Sequence, residues 1–165
     1  MLRNPRLLVA GAVALCLPAG AASADDPRSV AFLGAAIVNT SPAPTTEAER
    51  ERLALMEARL AEAFEASEDY VLVDTAPVAE AAAGYVNLAH CNGCDADFAA
   101  ELGADLAVTA EIQKTSNLIL HISVYMRDAG TGTLVGGGSA DIRSNTDESW
   151  LRGIDYILRN RILSE

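Results

Sequence analysis

The residues best suited to chemistry stand together at His90-Cys91-Asn92-Gly93-Cys94. Two cysteines at this spacing can close a disulfide, cycle as a dithiol, or hold a soft metal beside a neighbouring imidazole. In an exported protein the default for such a pair is a structural disulfide pinning a turn. A redox site wants its first thiolate stabilised at a helix N-terminus, and Asp95–Leu102 reads as a short helix that would supply one. Asp95 and Asp97 sit beside that terminus and would raise a thiol pKa. No proline follows Pro77, so the cis-proline that faces the cysteines in thioredoxin-like folds is missing. A metal could draw on His90, Cys91 and Cys94, with His121 as a fourth ligand, but no second Cys-x-x-Cys accompanies the first. Covalent haem is excluded by spacing, because Asp95 stands where the histidine must follow the second cysteine. The expectation is no catalytic residue, no bound metal and no cofactor. His90, Cys91 and Cys94 remain the thiol-redox or metal alternative, which would serve a periplasmic oxidative pathway.

Other catalytic templates are missing. The chain has no Gly-x-Ser-x-Gly, no phosphate loop ending in Gly-Lys-Ser/Thr, and no His-Glu-x-x-His. Gly130-Thr-Gly132 and Gly136–Gly138 read as hairpin and strand glycines rather than phosphate cradles. Asp141, Asp147 and Glu148 read as strand-face and helix-capping carboxylates.

Compartment follows from the first residues. Arg3 and Arg6 precede an apolar run, Leu7–Leu17, and Ala22-Ser-Ala24 offers a small-x-small cleavage site. Met1–Ala24 is thus read as a signal peptide cleaved before Asp25, and residues 25–165 as one domain in the periplasm. Cys16 does not fit a lipid-attachment site, since Leu15 precedes it where a small residue is needed. The run is too short to span a bilayer comfortably, and no transmembrane segment is expected after cleavage. Losing Arg3 and Arg6 takes the formal net charge from −11 to −13. Such an acidic surface repels phosphate backbones and anionic lipid, so no nucleic-acid partner is expected. The one lysine is Lys114.

The elements that must position these groups read in order. Val30–Val38 is a continuous apolar strand, the pattern of one buried on both faces. Asn39–Thr46 is a loop ending in hydroxyl N-caps, and Glu47–Ser67 a helix with Leu53, Met56, Leu60 and Phe64 on one stripe. Tyr70–Asp74 is a second strand, completing a right-handed βαβ unit. Pro77–Ala83 could start a helix that Gly84 breaks. After Asp95–Leu102, closed by Gly103, three antiparallel strands follow: Leu106–Lys114, Leu118–Arg127 and Thr133–Arg143. Asn145-Thr-Asp-Glu148 reads as a capping box for a last helix with Trp150, Ile154, Ile157, Leu158 and Arg161 on its stripe. The fold class is α+β, a two-layer sandwich on a mixed five-stranded sheet.

In the second meander strand Leu118, Leu120, Ile122, Val124 and Met126 alternate with Ile119, His121, Ser123, Tyr125 and Arg127. That is the signature of a sheet covered on one face only. Thr109, Glu111 and Gln113 would share the polar face, as would Ser139, Asp141 and Arg143. Glu111, Gln113, His121, Tyr125, Arg127, Asp141 and Arg143 are therefore the expected interaction surface for a protein partner. Gly136-Gly-Gly138 predicts a bulge or a close backbone approach within the third meander strand.

Two stretches carry a family likeness: Cys91-Asn-Gly-Cys94 running through Leu102-Gly-Ala-Asp105 into Ile112–Leu120, and Ser139–Trp150. They resemble a domain-of-unknown-function family of short secreted Gram-negative proteins, the DUF2380/DUF3280 type. The resemblance covers nearly all of the mature chain and implies a periplasmic setting, with no activity and no catalytic residue to carry over. In element order, and in the Leu102–Asp105 turn, the layout is also similar to the TolB amino-terminal and CsgG-type domains. That likeness implies a non-catalytic module for assembly or docking in the envelope, engaging an envelope protein.

Overall fold

The computed structural model describes residues 26–163, so the expected leader Met1–Ala24 and its cleavage before Asp25 lie outside the described residues. Strand β1 (Arg28–Asn39) runs parallel to both its neighbours, β2 (Tyr70–Leu72) and β3 (Leu106–Ser116). Strands β4 (Ile119–Asp128) and β5 (Leu134–Ile142) continue as an antiparallel meander, giving the sheet order β2-β1-β3-β4-β5. The α+β class and the mixed five-stranded sheet are therefore as the sequence predicts.

Helices α1 (Glu47–Glu65) and α4 (Asp147–Ile157) cover one face. The α1 stripe holds: Met56, Leu60 and Phe64 are fully buried, against Val30, Leu106, Ile122 and Trp150 among others. Its start is a capping box in which the Thr46 side chain accepts the Glu49 amide and the Glu49 carboxylate accepts the Thr46 amide. The cap of α4 differs from expectation. Thr146, not Asn145, accepts the Ser149 amide. Asn145 is otherwise occupied, because its amide donates to Glu49 Oε1 at 2.5 Å and its carbonyl accepts Trp150 Nε1–H at 3.0 Å.

Lys114 completes that polar knot. Its ammonium lies 2.5 Å from Glu49 Oε1, with the two side chains 3% and 1% exposed. Strand alternation explains the placement, since Lys114 follows Leu106, Val108, Ala110 and Ile112 on the core-facing side of β3. One buried ion pair thus joins the start of α1, the end of β3 and, through Asn145, the approach to α4.

The second face is not bare, in contrast to the one-sided cover that strand alternation predicts. The chain between β2 and β3 crosses it, through a turn at Ala76–Val78, helix α2 (Ala79–Ala82), a turn at Leu88–His90 and helix α3 (Cys94–Glu101). Small residues allow close approach: Ala31, Ala99, Ala104, Ala107 and Ala129 form a second core with Leu33, Val73 and Leu102 against it. Two more local differences concern the strands beside this crossing. β2 is only three residues long and pairs with Arg28–Val30 alone. β1 is interrupted by a bulge between Phe32 and Ala35, where Gly34 takes φ +90°. Past Ala31, therefore, β1 is half-buried rather than buried on both faces.

Candidate functional site

The Cys91–Cys94 turn depends on two consecutive left-handed residues, Asn92 at φ 64° and Gly93 at φ 102°. Asparagine and glycine are the residues that adopt this conformation most readily. The turn brings the two Cα atoms to 5.5 Å with the sulfurs bonded, and delivers Cys94 as the first residue of α3. Asp95, next in line, is almost completely buried at the positive end of α3. Arg127 Nε of β4 stands 3.1 Å from its Oδ2, an ion pair that clamps α3 to the sheet.

His90 closes the other side of the turn. Its Nε2 lies 3.0 Å from Glu111 Oε2 on β3. Glu111 also accepts from Asn87 Nδ2 at 2.9 Å and from the Tyr125 hydroxyl at 2.9 Å. Burial alone would raise the Glu111 pKa, but donation from Asn87, Tyr125 and His90 outweighs it and holds the carboxyl below its ordinary range. Burial pushes the Tyr125 phenol up, and the Glu111 carboxylate adds to the rise. The His90 ring meets Tyr125 edge-on, with centroids 5.9 Å apart. Glu111 is thus an internal anchor under the crossing segment rather than the surface contact its strand position predicts. Three donors and 8% exposure leave it nothing to offer a partner. Asn87, which has no special signal in the sequence beyond a turn-forming residue type, supplies one of those donors.

The other expected surface residues divide. Arg127 is engaged with Asp95, and Tyr125 with Glu111. Gln113, His121 and Asp141 form one cross-strand row on the open part of this face, where His121 Nδ1 lies 2.7 Å from Asp141 Oδ1. Arg143 is exposed just beyond β5. His121 stands four residues along β4 from Tyr125, so the two histidines are not brought together. Among the described residues, no three His, Cys, Asp or Glu side chains converge to hold a metal. With its sulfurs joined and its imidazole on Glu111, the motif braces the crossing segment.

Opening the bridge tests this role. Cys91→Ser with Cys94→Ser releases so short a loop that chain entropy accounts for about 2 kcal/mol at most. Faster amide exchange confined to residues 85–102 is expected, with little change at β3 and β4. Exchange unchanged there would deny the bridge any bracing role.

Among the described residues, strand β5 ends the sheet with its outer edge unpaired. A groove of about 620 Å³ runs between it and α4, lined by Ser139, Asp141, Arg143, Arg152 and Tyr156 among others. Fold and site together define a small α+β module whose buried polar groups brace the sheet and whose free strand edge faces outward. The same fold is seen in lipoprotein GNA1162 from Neisseria meningitidis, at TM-score 0.50 and 20% identity, over 73% of this chain and 84% of that one. It is also seen in the C-terminal domain of LpoB from Escherichia coli, at TM-score 0.51 and 12% identity, over 76% of this chain and 90% of that one. The Salmonella enterica LpoB C-terminal domain matches at TM-score 0.50 and 12% identity, over 75% and 88%. No curated protein matches the sequence. Residues 28–162 match the family described as a protein of unknown function, DUF2380, and the chain belongs to it. Among the described residues, no helix is long and apolar enough to cross a membrane.

Proposed function

We propose that this chain is a non-catalytic accessory module of the periplasm, and that it engages an envelope protein through β5 and the polar row beside it. The observation that carries the reading is the nine-residue β5 with a free edge, flanked by a groove against α4. An unpaired edge presents backbone donors and acceptors that an extended segment can meet, and the adjoining groove can take its side chains. Tyr156, 46% exposed, and the charges of Asp141, Arg143 and Arg152 give that groove both an aromatic anchor and mixed polarity. The shared fold with a lipoprotein and with LpoB domains supports an envelope setting. His90 and Asp95 beside the thiol motif support the non-catalytic half of the reading, because they are engaged with Glu111 and Arg127.

A photo-crosslinker placed at Ser139 and at Tyr156 should trap one partner in the envelope, while the same group at Glu51 on α1 should not. Asp141→Lys with Arg143→Glu should abolish the β5 crosslinks without altering the unfolding curve. Equal trapping from Glu51, or crosslinks indifferent to the charge reversals, would sink the assignment.

A further inference from the structure

Past Val30, β1 has β3 on one side and, among the described residues, no strand on the other, because β2 has ended. A cavity of about 560 Å³ opens there, between α1 and the segment 75–89, with the Gly34 bulge and Thr109 in its wall. That volume lies in the range that holds small molecules. Its walls are built from small apolar side chains, Ala58 and Ala61 on α1 and Ala82 and Ala83 opposite, so the room is left by the sequence itself.

Glu57, Thr75, Tyr85, Asn87 and Thr109 bring polar groups to this lining. Thr109, 1% exposed, has a hydroxyl sealed beneath the cavity wall, with no hydrogen-bond partner among the described residues. Glu57 is the one charged residue of the lining. Its Oε1 accepts the Ala35 amide that the bulge frees, at 2.7 Å, and among the described residues it has no other hydrogen-bond partner. Burial raises its pKa, so an added positive charge beside it would be welcome.

We propose that this cavity binds a small amphipathic amine, its ammonium on the free oxygen of Glu57 and its apolar body along the alanine walls. An anion would meet an unbalanced carboxylate, and a purely apolar ligand would leave that carboxylate unmet. The site lies at the β1–β2 side of the sheet, away from β5, so the partner-binding reading can fail without touching it.

Titrating the whole chain with 6-aminohexan-1-ol, hexan-1-ol and hexanoate, followed by amide NMR shifts, tests the assignment. The amino alcohol should give saturable shifts at Gly34, Ala35 and Thr109, and hexanoate none at the same concentrations. Glu57→Gln keeps an acceptor for the Ala35 amide, so it should fold normally and weaken the amino alcohol about tenfold, leaving hexan-1-ol unchanged. Ala61→Leu should narrow the cavity beside Glu57 and weaken the shifts. Absence of saturable shifts, hexanoate binding as well as the amine, or indifference to Glu57→Gln would each overturn it; the last would leave Glu57 as a clamp on the bulge only.

Discussion

Replacing Lys114 with methionine is expected to destabilise the domain by about 3–5 kcal/mol, read as a shift in the urea midpoint at unchanged m. Domains of this kind have about 5–15 kcal/mol in total, so the variant should sit near the edge of folding. The cost arises because Glu49 stays buried with its cation gone; among the described residues, the Thr46 amide and Asn145 remain as its only donors. Removing both charges, with Glu49→Leu beside Lys114→Met, should recover much of the loss, since neither desolvated charge is then left alone. A double variant no better than the single one would mean the pair is not coupled. The acid limb gives an independent check. Burial would raise the Glu49 pKa, but hydrogen bonds from Lys114, Thr46 and Asn145 outweigh it and bring it to about 2, from 4.5. A depressed carboxylate stabilises the fold above its unfolded pKa and loses that contribution as pH falls through the folded one. About 3 kcal/mol should therefore disappear between pH 4.5 and 2. Asp105 and Asp128 are also held low by hydrogen bonds, from Ser29 and from Thr131, so the measurement is the difference between wild type and Glu49→Gln across that window.

This pair also shows where sequence reading stops. Alternation along β3 puts Lys114 on the core side, yet a lysine at a strand end reads as solvated unless its partner is known. Glu49 sits 65 residues earlier, where it reads as part of the polar cover of α1. The structure makes it both the capping residue of α1 and the buried partner of Lys114. Local patterns were legible: the α1 and α4 stripes, Gly103 after α3, the meander turns and the staple at Cys91 and Cys94 follow from spacing and residue type. What was not legible depends on chain crossings. Glu111 alternates onto a polar face, and only the path of residues 75–102 shows that the face is covered there. The β1 bulge is hidden for the same reason. Gly34 within an apolar run is compatible with a plain strand, and its φ of +90° follows from Glu57, on a separate helix, capturing the freed Ala35 amide.

The Gly136-Gly-Gly138 run is the opposite case, in which a sequence signal of close backbone approach is met by the structure at one atom. A Cβ on Gly137 would lie 2.2 Å from the Val124 carbonyl oxygen of β4, and the residue holds φ +124°. Backbone at that distance cannot yield as a side chain would, so Gly137→Ala must push β5 off β4 or change its own backbone conformation. Strain at such a φ and overpacking together predict a loss of about 2–6 kcal/mol. Gly136→Ala is the matched control, because its Cβ would meet only Met126, at 3.4 Å and beyond. That variant should stay within about 1 kcal/mol of wild type. Amide exchange should distinguish a local from a global effect: β5 and its partners on β4 should lose protection first, with β1 and β3 holding. Because the proposed partner surface is the outer edge of β5, Gly137→Ala should abolish the Ser139 crosslink at temperatures where the rest of the domain is still folded, and Gly136→Ala should retain it. Partner trapping that survives loss of β5 protection would place the contact elsewhere on the molecule.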